Sequence, residues 1–332
     1  MHANRFLKTG ALVTALALLV APLAAMIEAV GPITITVGDL DREVAFYTSV
    51  LPFERVGSET QASGAALEKF YALPGAHTRT VTLRLGTETI ALTQFVGESG
   101  RPIPADSRSF DHWFQHIAIV VRDMDAAYAQ LAAHKVRHIS TAPQTLPSWN
   151  KNAGGIRAFY FQDPEQHVLE IIWFPADKGD QRWQQASNQL FLGIDHTAIV
   201  VNDTDRSLAF YRDALGLRVV GGAENFGVEQ EHLNQVFGAR LRITALRAPS
   251  GPGIEFLEYI APPGGRELPA DAHVNDLLAW TISLASTMSG GDANAAIESG
   301  GRAVSTGKGP RSLVRDPDGH LLAIGPAPPP AT

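Results

Sequence analysis

The sequence predicts an α+β fold made of four copies of one strand–helix–three-strand module, and three observations carry that prediction. First, four segments open alike: Pro32-Ile-Thr-Ile-Thr-Val-Gly-Asp39, His116-Ile-Ala-Ile-Val-Val-Arg-Asp123, His196-Thr-Ala-Ile-Val-Val-Asn-Asp203 and, more weakly, Trp280-Thr-Ile-Ser-Leu-Ala-Ser286. Each is rich in β-branched and apolar residues, as strands are. Second, Asp39-Leu-Asp-Arg-Glu-Val-Ala-Phe-Tyr47 matches Asp203-Thr-Asp-Arg-Ser-Leu-Ala-Phe-Tyr211 at an offset of 164 residues, which also carries His116 to Trp280. Third, Asp163-Pro164 and Asp316-Pro317 each sit between two apolar runs, where a hairpin turn wants Asp and Pro.

Taken in order, the first module has its opening strand, then a helix that Asp39 is suited to cap. Val44, Tyr47 and Leu51 fall on one face of that helix. Strands follow at roughly 79–85 and 88–96. The second module ends in Phe159-Tyr-Phe-Gln-Asp-Pro-Glu-Gln-His-Val-Leu-Glu-Ile-Ile172. The third repeats the helix face with Leu208, Tyr211 and Leu215 and has strands at about 240–247 and 253–260; the fourth closes on Leu313 to Ile324. This divides the chain into two similar halves, residues 31–175 and 193–325, joined by a polar linker, 176–192. The Pro-rich tail 326–332 reads as disordered.

The bulk numbers narrow the function. The 332 residues suffice for two cores. A net charge of −7 and the absence of a basic stripe argue against a nucleic-acid partner. There is no cysteine, which removes thiol nucleophiles and thiolate metal sites. At the N-terminus, Arg5 and Lys8 precede an apolar run from Gly10 to Ala21 and the small-residue stretch Pro22-Leu23-Ala24-Ala25. That is the pattern of a signal peptide over residues 1–25, cleaved after Ala25 or alternatively Ala29. The expectation is an exported protein, periplasmic or secreted, with no stable membrane span after processing.

The His-x-Ala-x-Val-Val-x-Asp starts, the Phe-Tyr pair on the first helix and the Asp-Pro-(Asp/Glu)-x-x-x-(Leu/Ile)-Glu ends together resemble the vicinal oxygen chelate superfamily. That superfamily includes glyoxalase I, extradiol dioxygenases, epimerases and bleomycin-resistance proteins. The resemblance implies cupped sheets made of paired modules around a divalent metal, with ligands from the first and last strands of each module. Carried over by position, it assigns His116 and Glu170 to the second module and His196 and Glu255 to the third. The first module has Pro32 and Ala91 at these places, and the fourth has Trp280 and Ala323. Modules pairing within each half would leave one His and one Glu per cup. Crossed pairing, second with third and first with fourth, would gather all four ligands in one cup.

Strand parity puts His116, Ala118 and Val120 on one face, as it does His196, Ala198 and Val200. On the fourth module the same reasoning puts Trp280, Ile282 and Leu284 there, as side chains that fill a cup. Glu258 falls on the opposite face from Glu255. Two imidazoles and two carboxylates suit Zn, Ni, Fe or Mn. Such an ion polarises a carbonyl or enediolate oxygen of a small-molecule substrate, with Glu170 or Glu255 as general base. His232, present only in the ligand-bearing third module where the first has Lys69, is a further acid–base candidate. His167 and His320, after Asp-Pro, are expected at the surface. Trp149 to Gly155 reads as a loop over a pocket. Three functions remain open: a metal-dependent glyoxalase-like lyase or isomerase, a ring-cleaving dioxygenase, and a binding protein without catalysis.

Overall fold

Why three of the four openings become strands followed by helices is visible at their caps. Asp39, Asp123 and Asp203 each turn a side-chain oxygen onto backbone N–H groups of the following turn: Arg42, Ala126, and Asp205 with Arg206. This satisfies donors that a helix start leaves unpaired. The computed structural model describes residues 27–97, 100–286, 291–305 and 309–327. The export segment expected at 1–25 and the tail end 328–332 lie outside the described residues.

The first module comprises β1 (Ile27–Val37), α1 (Leu40–Ser49), β2 (Glu54–Ser63), α2 (Ala65–Tyr71), β3 (His77–Leu85) and β4 (Glu88–Phe95). The second has β5 (Gln115–Val121), α3 (Met124–Ala133), the short β6 (Arg137–His138) and β7 (Gln144–Thr145), β8 (Arg157–Gln162) and β9 (Val168–Trp173). The third has β10 (Phe191–Val200), α4 (Thr204–Leu208) continued by a wider turn through Ala214, β11 (Arg218–Phe226), α5 (Val228–Asn234), β12 (Arg240–Arg247) and β13 (Gly253–Ala261). The fourth has β14 (Trp280–Ser286), α6 (Gly291–Glu298), β15 (Arg302–Ala303), β16 (Ser312–Arg315) and β17 (Leu321–Gly325).

The modules pair crosswise. One sheet runs β15-β16-β17-β14-β1-β4-β3-β2 and draws on the fourth and first modules. The other runs β11-β12-β13-β10-β5-β9-β8-β6 and draws on the third and second. Each sheet is closed at its centre by an antiparallel seam, β1 with β14 and β10 with β5. Neither half of the sequence therefore owns a sheet. The back faces of both sheets, with Ile33, Ile35, Ile117, Ile119, Ile199 and Ile282, share one continuous core with α1, α3, α4 and α6.

The register corrects the assignment of Trp280. On the central seams Ala198 faces His116, and Thr34, the counterpart of Ala198, faces Thr281. On the outer side His116 pairs with Val168 two residues before Glu170, and Thr281 pairs with Leu321 two residues before Ala323. Thr281, not Trp280, occupies the place of His116. A one-residue slip sends every side chain of a strand to the other face. Trp280, Ile282 and Leu284 accordingly belong to the shared core behind the sheet and do not fill the cup.

His167 and His320 are buried, against expectation. Asp163 explains the first. Its Oδ1 accepts from the backbone of Glu165 and His167, and its Oδ2 lies 2.8 Å from His167 Nδ1 and 3.2 Å from the Tyr47 hydroxyl. On the far side of the ring, Nε2 meets the carbonyls of Thr36 and Leu277 at 3.0 and 2.9 Å. Both ring nitrogens thus face acceptors. Burial alone would depress the imidazole, but Asp163 overcomes it and raises the pKa. The second half repeats the device: Tyr211 donates to Asp316 at 2.9 Å, and His320 Nδ1 sits 3.1 Å from the same carboxylate. The Phe-Tyr and Asp-Pro motifs are one hydrogen-bonded unit, and His167 ties it to the neighbouring sheet.

Candidate metal centre

The cup formed by the second and third modules brings the four expected ligands together. His116 on β5 and His196 on β10 come from the two antiparallel seam strands, and Glu170 on β9 and Glu255 on β13 from the strands flanking them. Glu170 is the hub: its Oε2 is 3.0 Å from His116 Nε2 and 3.7 Å from His196 Nε2. Glu255 Oε1 is also 3.7 Å from His196 Nε2. His116, Glu170 and His196 offer ligand atoms within 4.8 Å of one another, all buried. Neither His116 Nε2 nor His196 Nε2 makes an aligned hydrogen bond, although both are sealed from solvent. Buried ring nitrogens turned toward carboxylates and left without such bonds are costly unless something else takes their lone pairs. The donor set fits a divalent cation. His116, Glu170, His196 and Glu255 would hold it.

The electrostatics are those of a site that gathers positive charge. Burial would lower His196, but Glu255, Asp195 and Glu170 together raise it to about 9. Burial of His116 lowers its pKa and Glu170 only partly offsets this. Burial raises Glu255. Asp195 holds His196 from behind: its Oδ2 is 3.0 Å from Nδ1, and its Oδ1 accepts from Trp183 Nε1 and Arg247 Nη2, both at 2.7 Å. A carboxylate on the second nitrogen of a ligand histidine fixes the ring and strengthens its donor. His116 Nδ1 has no such partner. Trp183 comes from the segment first read as a plain linker.

The cluster opens onto a cavity of about 580 Å³ whose lining includes Glu170, His196 and Glu255. Of the segment from Trp149 to Gly155, Lys151, Asn152 and Ala153 line it. Asn150 and Asn152 donate to the Asn225 side chain and the Gly222 carbonyl on β11, and Trp149 lies on Phe226, 4.3 Å between ring centres. Glu258 faces the other side of β13, near Arg242 and the start of α4. His232 does not join the site. It is exposed on α5, whose inward side carries Gln230 and Leu233 into the cavity.

Residues the sequence did not single out also line it. Tyr160 pairs with Glu170 across β8 and β9, its ring centre is 4.9 Å from that of His116, and burial pushes its hydroxyl well above the usual range. The period-two pattern of Phe159-Tyr-Phe beside the ligand strand was the available signal.

Comparison with known proteins agrees with the fold. The Glyoxalase/Bleomycin resistance protein/Dioxygenase superfamily matches residues 29–171 and 193–324, and the chain belongs to it. A 2-epi-5-epi-valiolone epimerase from Actinomyces sp. is 32% identical over 152 residues, spanning 45% of this chain and 80% of that protein. Glyoxalase I from Zea mays superposes with a TM-score of 0.56 at 17% identity, over 91% of this chain and 92% of that one. A putative dioxygenase from Bacillus subtilis superposes with a TM-score of 0.55 at 16% identity, over 92% and 87%. At such identities the last two speak for the fold alone.

Proposed function

We propose that this protein is a divalent-metal-dependent lyase or isomerase that moves a proton on a small oxygen-chelating metabolite. The observation that carries the proposal is the convergence of His116, Glu170, His196 and Glu255 from two modules at one cavity. Bound there, the cation would act as a Lewis acid on a substrate carbonyl or enediolate oxygen. The protein's own groups supply the rest. Glu255 is the more open of the two carboxylates, with 21% of its side chain exposed, and burial raises its affinity for a proton. A carboxylate so placed suits a general base. Tyr160 keeps its proton and can donate to an oxygen that gains charge. The epimerase relative supports proton transfer at carbon as the reaction class.

The compact trio His116, Glu170 and His196 favours a second reading. Two histidines and one carboxylate are the ligand set of non-haem iron oxygenases. One experiment separates the two. Protein purified without chelators is analysed for metal, then incubated in D2O with α-hydroxyketones and separately with catechols under an oxygen electrode. Deuterium exchange at carbon, lost in Glu255→Gln with metal retained, supports the isomerase. Oxygen uptake with catechol and bound iron replaces it with the dioxygenase.

Export is proposed from the N-terminal pattern alone. Ile27 is buried in the core, so cleavage after Ala25 spares β1 whereas cleavage after Ala29 cuts into it. N-terminal sequencing of periplasmic protein tests this, and an intact Met1 overturns it.

A further inference from the structure

The two cups differ in more than their ligands. α2 and α5 superpose in sequence by their ends: Gly64 and Gly227 precede them at φ +98° and +97°, and Ala72 and Gln235 follow in the left-handed conformation at φ 50° and 54°. That alignment sets Gln230 opposite Leu67, Asn234 opposite Tyr71 and Asn225 opposite Ala62. On the last strands, Tyr259 corresponds to Phe95. In the ligand-free cup these positions are apolar, with Tyr71 edge-on to Phe95 at 5.0 Å. In the ligand-bearing cup they form a polar chain: Gln230 Nε2 donates to Asn234 Oδ1, and Asn234 Nδ2 donates to the Tyr259 hydroxyl.

That chain ends in an unmet demand. Gln230 is 2% exposed, lines the cavity, and its Oε1 has no hydrogen-bond partner. A buried carbonyl oxygen left unsatisfied carries its full desolvation cost. Asn225, also on the cavity wall, supplies the complementary group. Asn150 Oδ1 accepts from the backbone of Asn152 and Ala153, so Asn150 Nδ2 must be the donor to Asn225 Oδ1. This leaves Asn225 Nδ2 as a donor with no partner in the protein among the described residues. Among its uncharged amides the wall therefore presents one free acceptor and one free donor, beside the cationic Lys151, Lys178 and Arg247. A carboxylate or phosphate cannot donate to Gln230 Oε1. A hydroxyl can, and it can equally accept from Asn225.

We infer that Gln230 and Asn225 are specificity-determining residues that read hydroxyl groups, so the substrate class is a polyhydroxylated ketone and not a simple dicarbonyl. This rests on the metal-site reading above, and its test is built to fail separately. The first arm titrates Ni(II) alone into the purified protein; no binding sinks the metal reading, and the probes below are then compared on the metal-free protein. The second compares two probes on the Ni(II)-loaded protein by calorimetry, pentahydroxycyclohexanone and 2-hydroxycyclohexanone. Both keep the chelating oxygen pair and differ only in the remaining hydroxyls. The expected result is a preference of about 10- to 100-fold for the hydroxylated probe, the scale of one or two buried polar groups left unpaired. Gln230→Leu should reduce that preference at least several-fold with Ni(II) affinity retained. Gln230→Met serves as the second variant if leucine disturbs α5. Equal binding of the two probes by the wild-type protein overturns the inference, as does a folded variant that keeps the full preference.

Discussion

Two cups of one ancestry stand in this molecule, and only one is equipped. In the cup of the second and third modules, His116, Glu170, His196 and Glu255 converge beside an open cavity. In the cup of the first and fourth modules, the same backbone places hold Thr281, Ala323, Pro32 and Ala91, and the space is taken up by Phe95, Leu313, Leu321 and Ala323 with Phe70, Tyr71, Leu73 and Val304 packed against them. The fold therefore does not depend on the ligands. It depends on the core behind both sheets, which the two cups share. Burying four polar ligands is a cost to stability that only the equipped cup bears, whereas the filled cup stabilises by apolar burial.

The largest expected effect bears on that core. Trp280→Ala should destabilise the protein by about 3–5 kcal/mol, the range for truncating a large buried aromatic. Thr281→Ala, its half-buried neighbour on the cup side, should cost less than about 1 kcal/mol by urea denaturation. If the two costs were reversed, the register that puts Thr281 in the place of His116 would be wrong, and with it the account of the filled cup.

The second effect bears on the ligands. Glu170 touches both histidines, so Glu170→Ala should lower affinity for Zn(II) or Ni(II) by about 100-fold or more, ~3 kcal/mol, since losing even an outer partner of a ligand costs about 10- to 100-fold. A chelator competition titration measures it. Ala323→Glu, the mirror change in the filled cup, should add no bound metal.

The duplication and the crossed pairing as one of two options were legible in the sequence because they rest on repeats of residue type; the four positions that the structure brings to one cup came from the family resemblance. What failed rests on geometry that repeats do not encode. β14 does alternate, with Trp280, Ile282 and Leu284 on one face and Thr281 and Ser283 on the other, but the offset that holds for Tyr47 and Tyr211 is one residue short at Thr281 and so assigned the apolar face to the cup. His167 follows an Asp-Pro turn that looks like a surface hairpin. Its burial depends on carbonyls at Thr36 on β1 and Leu277 in the turn before β14, 131 and 110 residues away. The Gln230–Asn234–Tyr259 chain was invisible because each residue alone reads as an ordinary helix or strand position.

A smaller effect distinguishes the two helix–turn units. Glu43 on α1 is fully buried with neither carboxylate oxygen hydrogen-bonded and only Arg42 Nε near, 3.8 Å from Oε1, where the second half has Ser207, hydrogen-bonded to Asp318 at 3.4 Å. Burial first, and then Asp163 and Glu165 nearby, push Glu43 up to about 10. A carboxyl whose folded pKa is raised contributes stability below its unfolded value, and loses it as pH climbs toward the folded one. Wild-type stability should therefore fall between about pH 5 and 9. Glu43→Gln, which cannot ionise, should be more stable than wild type at pH 8 and nearly equal to it at pH 4. Parallel pH profiles for the two proteins in thermal melts would show that Glu43 carries no such penalty.

The smallest effect concerns His232, which the sequence marked as peculiar to the ligand-bearing third module. On α5 the cavity side belongs to Gln230 and Leu233, and the last-turn His232 ring points to solvent. Its backbone carbonyl does participate, accepting from Thr141 N and Gln235 Nε2, but any residue supplies that carbonyl. A general acid or base must come within about 3 Å of the proton it moves, directly or through one water. From the exposed side of α5 the imidazole has no route to Glu170 or Glu255 without turning the helix over and burying its polar face. His232→Ala should accordingly change proton exchange at carbon by less than about twofold and stability by less than about 0.5 kcal/mol, as surface substitutions do. A loss of exchange as large as that of Glu255→Gln would mean that α5 rotates when substrate binds. The cavity wall assigned to Gln230 would then have to be redrawn with His232 in it.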